Sequence, residues 1–380
     1  MEHQFSFSPL TTHAFNADRS MVAISSNSDE LQIHRKSGNG WTLADTLTEH
    51  DKLITSVDWA PHTNRIVTCS QDRNAYVWNP VVDPATGQQK WSPSLVLLRL
   101  NRSATYVQWS PNEEKFAVAS GARTVAVCQY DTENDWWVAR HIKKPIRSTV
   151  LALDWHPNSI LLATASADSK ARVFSAFLKG SDQKSVAHLP APTNWGDKLP
   201  FHTLCAEYST PSGGWVHGVA FSPSGEALAF TGHDSTISIA YAGGGVQVVE
   251  LHSLPVLSLV FVTETSLVGA GHDCQPYLFQ ADANYTWTLA GTLDVNQSKS
   301  GGARTAAAGR LNNEAFNLFK SADSRGANMY AAPEETALAT THQNTITAVK
   351  FYSGTREAVA QVSTSGVDGR LVVWDTRSVG

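Results

Sequence analysis

Residues 58–78, DWAPHTNRIVTCSQDRNAYVW, set a pattern that this chain writes again and again. Trp59 ends an alternating apolar run, and Ala60-Pro61-His62-Thr63-Asn64 breaks it with turn residues. Ile66 and Val67 begin a second run, Gln71-Asp72-Arg73-Asn74 turns the chain again, and Ala75, Val77 and Trp78 form a third. Period-two alternation between polar turns predicts a three-strand meander. DWHPNSILLATASADSKARVF at 154–174 matches it position for position, while QWSPNEEKFAVASGARTVAVC at 108–128 and AFSPSGEALAFTGHDSTISIA at 220–240 match its spacing. The interval from Trp59 to Asp72 recurs from Trp155 to Asp168 and from Phe221 to Asp234. The interval from Asp72 to Trp78 recurs from Asp168 to Phe174, Asp234 to Ala240, Asp273 to Phe279 and Asp368 to Trp374.

Counting the degenerate copies that end at Phe279 and Trp374, and a weak one at 13–34 with Ser28 in the aspartate place, gives seven units. Seven units at a period of roughly 40–45 residues predict an all-β chain, a seven-bladed WD-repeat β-propeller. Each blade buries both faces against its neighbours, so its strands carry apolar residues where a lone sheet would be polar. The turn aspartate is expected to accept hydrogen bonds from a histidine on the loop entering the blade, with a serine and the third-strand tryptophan completing the chain. His50, Ser70, Asp72 and Trp78 supply the full set, and His342, Asp368 and Trp374 nearly repeat it. Asp168, Asp234 and Asp273 hold the same place in other blades, which makes these groups structural.

Two stretches fall outside the repeat, 179–212 and 295–341; without them the 380 residues close as one propeller domain. Pro190, Pro192 and Pro200 exclude a long helix from the first, which is expected to be an extended loop. The second begins with the low-complexity NQSKSGGARTAAAG and continues as RLNNEAFNLFKSAD at 310–323. There Leu311, Ala315, Leu318, Phe319 and Ala322 share a helical face, predicting a protruding helix between blades 6 and 7. A helix this short is marginal alone and needs a surface to bind, either the propeller or a partner's groove. Its leash of small residues favours the partner. At the other end of the chain, residues 4–10 are expected to supply the last blade's missing outer strand, since little sequence follows Trp374.

A net charge of −5 argues against a general nucleic-acid partner or membrane surface. Charged residues are 17% of the chain, below the roughly 25% usual for soluble chains, which fits a surface partly covered by other subunits. Cys69, Cys128, Cys205 and Cys274 show no CxxC spacing and fit a reducing compartment. No apolar run is long enough to span a membrane and no signal-peptide pattern opens the chain, so a cytosolic or nuclear protein without membrane insertion is expected. The third blade is locally basic: Arg99, Arg102, Lys115, Arg123, Arg140, Lys143, Lys144 and Arg147 outnumber its acids. Its turn, Gly121-Ala122-Arg123, lacks the aspartate. This predicts either a solvated rim or a docking patch for an acidic protein segment, aided by Trp136 and Trp137 if they are exposed.

No HExxH, GxSxG, P-loop or GxGxxG motif stands in a usable context. His233-Asp234 and His272-Asp273 recur at one repeat position, which argues for blade architecture over metal sites. Neither an enzyme nor a cofactor is expected.

DWAPHTNRIVTCSQDRNAYVW, LNRSATYVQWSPNEEKFAVASGAR, NDWWVARHIKKPIRSTVLALDWHP, WGDKLPF and GGWVHGVAFSPSG together resemble the WD-repeat subunit family of the actin-related protein 2/3 complex. The resemblance spans nearly the whole chain and is weakest over 295–335. It implies a non-catalytic subunit beside two actin-related proteins and other small subunits, in a complex that binds an existing actin filament and nucleates a branch. It also implies a place in the actin cytoskeleton, including cortical actin patches. Carried onto 311–323, it implies filament contact through Leu311, Phe316, Leu318 and Phe319. The basic third blade would then receive acidic tails of nucleation-promoting factors or a neighbouring subunit. Two alternatives stand beside it. Trp374-Asp375-Thr376-Arg377 spells the WDxR pattern of cullin ubiquitin ligase receptors, and the repeats alone would fit a stand-alone peptide-binding scaffold.

Overall fold

A computed structural model describes the chain except for residues 1, 7, 83, 85, 86, 88, 180, 181, 183–192, 197, 198, 295–337 and 378–380. Its described residues form seven four-stranded antiparallel sheets. Strand β1 is Glu2–Gln4. The first blade is β2 (Thr12–Phe15), β3 (Met21–Ser25), β4 (Leu31–Ser37) and β5 (Gly40–Leu47). The second is β6 (Ile54–Trp59), β7 (Ile66–Ser70), β8 (Ala75–Val82) and β9 (Gln89–Val96). The third is β10 (Ala104–Trp109), β11 (Lys115–Ser120), β12 (Thr124–Asp131) and β13 (Trp136–Ile142). The fourth is β14 (Val150–Trp155), β15 (Leu161–Ser166), β16 (Lys170–Ser175) and β17 (Leu204–Ser209). The fifth is β18 (Val216–Phe221), β19 (Ala227–Gly232), β20 (Thr236–Tyr241) and β21 (Val246–Glu250). The sixth is β22 (Val256–Thr263), β23 (Ser266–Gly271), β24 (Tyr277–Ala281) and β25 (Trp287–Thr292). The seventh joins β26 (Ile346–Gly354), β27 (Val359–Gly366) and β28 (Arg370–Asp375) to β1.

Burial follows strand position. Second strands such as β7, IVTCS, and β15, LLATAS, are buried at every residue, because a neighbouring blade covers each face. The outer strand β21, VQVVE, alternates exposed and half-buried residues. Seven-bladed closure leaves a central channel lined by the inner strands β2, β6, β10, β14, β18, β22 and β26.

Six inner strands carry an extra residue just after their first pairing: Thr55, Thr105, Leu151, His217, Leu257 and Thr347. Such a bulge turns its side chain out of the ladder. Thr55 Oγ1 donates to Ala104 O at 3.0 Å, Thr105 Oγ1 to Val150 O at 2.6 Å and Thr347 Oγ1 to Leu10 O at 2.8 Å. Each bond ties one blade to the chain leading into the next.

Two boundaries differ from those expected. The closing strand is Glu2–Gln4, paired with Arg370–Val372, instead of 4–10. The Ser6 hydroxyl accepts Ser8 N–H at 2.9 Å and Pro9 has no N–H, so the ladder lapses there. It touches again through Phe5 N to Gly369 O at 3.2 Å and Leu10 N to Gly366 O at 3.1 Å. Within 179–212, residues Leu204–Ser209 form β17, so this stretch is not wholly an extended loop. Nor does it stand free: Trp195 is buried, donates to Gly225 O at 2.7 Å and packs on Phe221 and Tyr208. The helix expected over 310–323 lies outside the described residues, while the ends of its insertion meet where Asp294 Oδ2 accepts Thr341 N–H at 2.6 Å.

Candidate partner-docking site

The turn between the second and third strands of a blade lies beside the loop that enters its inner strand. In five blades an aspartate at that turn accepts a backbone N–H of the entering loop. Asp72 takes Asp51 N, Asp168 takes Arg147 N, Asp234 takes Ser212 N, Asp273 takes Leu254 N and Asp368 takes Gln343 N, at 2.8 to 3.3 Å. The expected histidine partner holds in two of them. His50 Nδ1 lies 2.7 Å from Asp72 Oδ2, and His342 Nδ1 lies 3.1 Å from Asp368 Oδ1. Burial alone would push Asp72 and Asp368 up, but the histidine and backbone N–H groups outweigh it and hold both carboxyls below their ordinary value.

The hydroxyl of that chain is a threonine and not Ser70. Thr68 Oγ1 lies 2.8 Å from His50 Nε2 and accepts the Trp78 indole N–H at 3.0 Å. Thr364 repeats both contacts, at 2.8 Å from His342 and 2.7 Å from Trp374. Ser70 sits on the same strand face one step nearer the turn, where it donates to Lys52 O at 2.6 Å and accepts Asp72 N–H at 3.1 Å. Asp168 takes an ion pair with Arg172 at 2.9 Å in place of histidine. Asp234 accepts the Thr236 hydroxyl at 2.7 Å and Asp273 the Tyr277 hydroxyl at 2.9 Å. His233 turns to His217, with Nδ1 to Nε2 at 2.9 Å, and Trp215 beside them is 55% exposed.

Trp374 of the Trp-Asp-Thr-Arg run is spent in the blade network. Thr376 Oγ1 donates to Val359 O at 2.8 Å, and Asp375 Oδ1 accepts Arg377 N–H at 2.9 Å. Burial pushes the thiols of Cys69, Cys205 and Cys274 up to about 12, 11 and 11, and raises Cys128 further.

The pattern lapses in the first blade, where Ser28 holds the aspartate place, and in the third. The third blade's aspartate place holds Ala122, which has no acceptor for the entering loop. Here Arg102 from the entering loop, Arg123 from the turn and Arg147 from the loop into the fourth blade line one cleft of about 650 Å³. All three are exposed, as are Arg99, Arg140, Lys143 and Lys144. Arg99 shares the loop of Arg102, and Lys143 and Lys144 share that of Arg147, so six of these bases gather at one end of the blade. Arg140 stands apart on β13, paired with Val127.

Three expected members are not there. Lys115 opens β11, is 1% exposed and pairs with Asp182 at 2.7 Å, because this strand is covered on both faces. Trp137 is buried against Trp109 and Phe116. Trp136 is 49% exposed, yet it faces Asp131 at the opposite end of the blade from Arg123. The channel offers a second polar cluster that sequence reasoning missed. Lys350 Nζ donates to Val57 O at 2.9 Å, Asp58 accepts Trp109 N–H at 2.8 Å and Asp154 accepts Phe221 N–H at 2.7 Å. Each of these groups is engaged in joining blades.

Among known families, the WD domain, G-beta repeat, matches residues 41–79, 140–175 and 202–239. The chain is similar over nearly its full length to curated relatives. It is 47% identical to actin-related protein 2/3 complex subunit 1A-B of Xenopus laevis, covering 99% of this chain and 96% of the relative. Against actin-related protein 2/3 complex subunit 1 of Schizosaccharomyces pombe it is 45% identical, covering 96% of each. For the subunit of the same name in Saccharomyces cerevisiae the identity is 40%, over 96% of this chain and 94% of the relative. Identity at this level across all seven blades leaves the ligase-receptor and stand-alone readings unsupported, and the chain belongs to the actin-related protein 2/3 complex subunit 1 family.

Proposed function

We propose that this chain is a non-catalytic propeller subunit of an actin-related protein 2/3 complex, supporting its assembly and the nucleation of branched actin filaments. The observation that carries this reading is identity of 40 to 47% over nearly the full length of relatives named as subunit 1 of that complex. The partners are two actin-related proteins and the complex's other small subunits, with the actin filament and nucleation-promoting factors as external contacts. The location is the cytoplasmic actin cytoskeleton, including cortical patches.

Two surfaces serve the external contacts. Arg99, Arg102, Arg123, Arg140, Lys143 and Lys144 form a docking patch for acidic protein segments, supported by their exposure and by the gathering of most of them at one end of the third blade. The segment 310–323, with Leu311, Phe316, Leu318 and Phe319, contacts the filament; its amphipathic spacing supports this. A tagged chain purified from native extract should recover two actin-related proteins and small subunits in near-equal amounts. Recovery alone, or with a ligase adaptor, would overturn the reading. Deleting 310–323 should leave that recovery intact and reduce branching on preformed filaments.

A further inference from the structure

The arginine cleft of the third blade holds more positive charge and more donors than a carboxylate can use. Arg102, Arg123 and Arg147 bring three permanent charges to its walls, and Ser103, Ser148 and Thr149 add hydroxyls. No carboxylate lines it, and none of the three guanidiniums forms an ion pair with a carboxylate among the described residues. The cleft stands where the fold elsewhere places its own anion. In five blades an aspartate bridges turn and entering loop, whereas here Ala122 lies between Gly121 and Arg123, both of which line the opening. The blade thus keeps the geometry of an anion seat and lacks the anion.

We propose that this cleft binds a phosphorylated serine or threonine side chain of a partner segment. The inference deepens the docking reading above and rests on it. A carboxylate is satisfied by one bidentate guanidinium, whereas a phosphomonoester carries close to two negative charges and three acceptor oxygens. Three arginines with flanking hydroxyls match the second by charge and by donor count. A protein segment is favoured over a bilayer because the chain's net charge of −5 opposes approach to an anionic lipid surface.

The test uses the full chain in its native assembly and one neutral peptide carrying serine, aspartate or phosphoserine at its centre. Fluorescence polarisation should show the phosphoserine form binding about tenfold or more tighter than the aspartate form. Ala122→Asp supplies the residue that five other blades carry, so it should fill the seat from within and abolish the phosphoserine preference. Arg123→Lys keeps the charge but removes the bidentate fork, and should narrow the gap between the phosphoserine and aspartate forms. Equal binding of aspartate and phosphoserine would overturn the proposal and leave the acidic docking patch standing. Binding of neither would overturn both. Capture only by vesicles containing phosphatidylinositol 4-phosphate would overturn it in favour of a lipid.

Discussion

Lys115 Nζ lies 2.7 Å from Asp182 Oδ2, with both side chains almost wholly buried. The pair joins the second strand of the third blade to the segment that follows the fourth blade's third strand. Nζ also donates to Ala176 O at 3.1 Å, and Asp182 Oδ2 accepts Leu178 N–H at 2.7 Å. Burial lowers the Lys115 pKa, and Asp182 opposes that shift. Removing one partner of such a pair strands a buried charge. Asp182→Ala should therefore cost about 3–5 kcal/mol, whereas Lys115→Met with Asp182→Leu should cost less, about 1–3 kcal/mol for the Leu178 N–H left without an acceptor. Urea denaturation of the full chain, followed by tryptophan fluorescence, reads both.

Thr68 serves two buried groups, His50 and Trp78, whereas Ser70 serves only backbone. Thr68→Val keeps the shape and leaves an imidazole nitrogen and an indole N–H without a partner. The expected loss is about 2–4 kcal/mol, against about 1 kcal/mol for Ser70→Ala. A shift of the denaturation midpoint in the reverse order would return the network's hydroxyl to the serine.

Acid should destabilise the propeller in two stages. Burial holds His156 down at about 4 and His217 at about 4, and lowers His13 well below its ordinary value. The unfolded chain binds these protons first, so their contribution is present above about 6.5 and is lost as pH falls toward 4. Asp72, Asp168 and Asp368 are held low in the fold, so their contribution is present above about 3.9 and is lost on further acidification. Stability measured from pH 7 to 3 should therefore begin to fall before Asp72, Asp168 and Asp368 titrate, partly offset by Asp58, Asp154 and Asp273, whose carboxyls burial pushes up. His156→Gln should reduce the first stage, which His217 and His13 share, and leave the second.

Gly369 adopts φ +77°, and a Cβ there would stand 1.9 Å from Ser6 O. Gly369→Ala should press the N-terminal segment off the last blade, at a loss above about 1 kcal/mol. Faster amide exchange confined to Phe5 and its neighbours would show that the closing strand is what gives way.

Reversal of Arg140, Lys143 and Lys144 to glutamate should weaken the response to acidic activators without loss of assembly. Branching rates at graded activator concentrations measure this, and an unchanged response would remove these bases from the docking patch.

The blades were legible because each repeat carries its turns, its aspartate and its buried second strand within one short run. What depends on reach across strands was not. Thr68 and Ser70 are both hydroxyls on one face, and only the position of the Trp78 indole decides between them. Trp136 and Trp137 are neighbours in sequence, but alternation sends one to solvent and the other onto Trp109. The basic run was visible as composition, whereas the fate of Lys115 required Asp182, which lies in a stretch outside the repeat. Ala122 was visible as a missing aspartate. Its meaning emerged once the other aspartates were seen holding the entering loops.

Glu2–Gln4 pairs with Arg370–Val372, so the sheet that closes the ring joins a strand made before the first blade to strands made after the sixth. The first six blades can stack as they are made, but the seventh has no fourth strand until the start of the chain comes back to it. Throughout synthesis the growing protein is an open arc with unpaired edges at each end. Those edges can be covered only once β26, β27 and β28 have been made and have met β1.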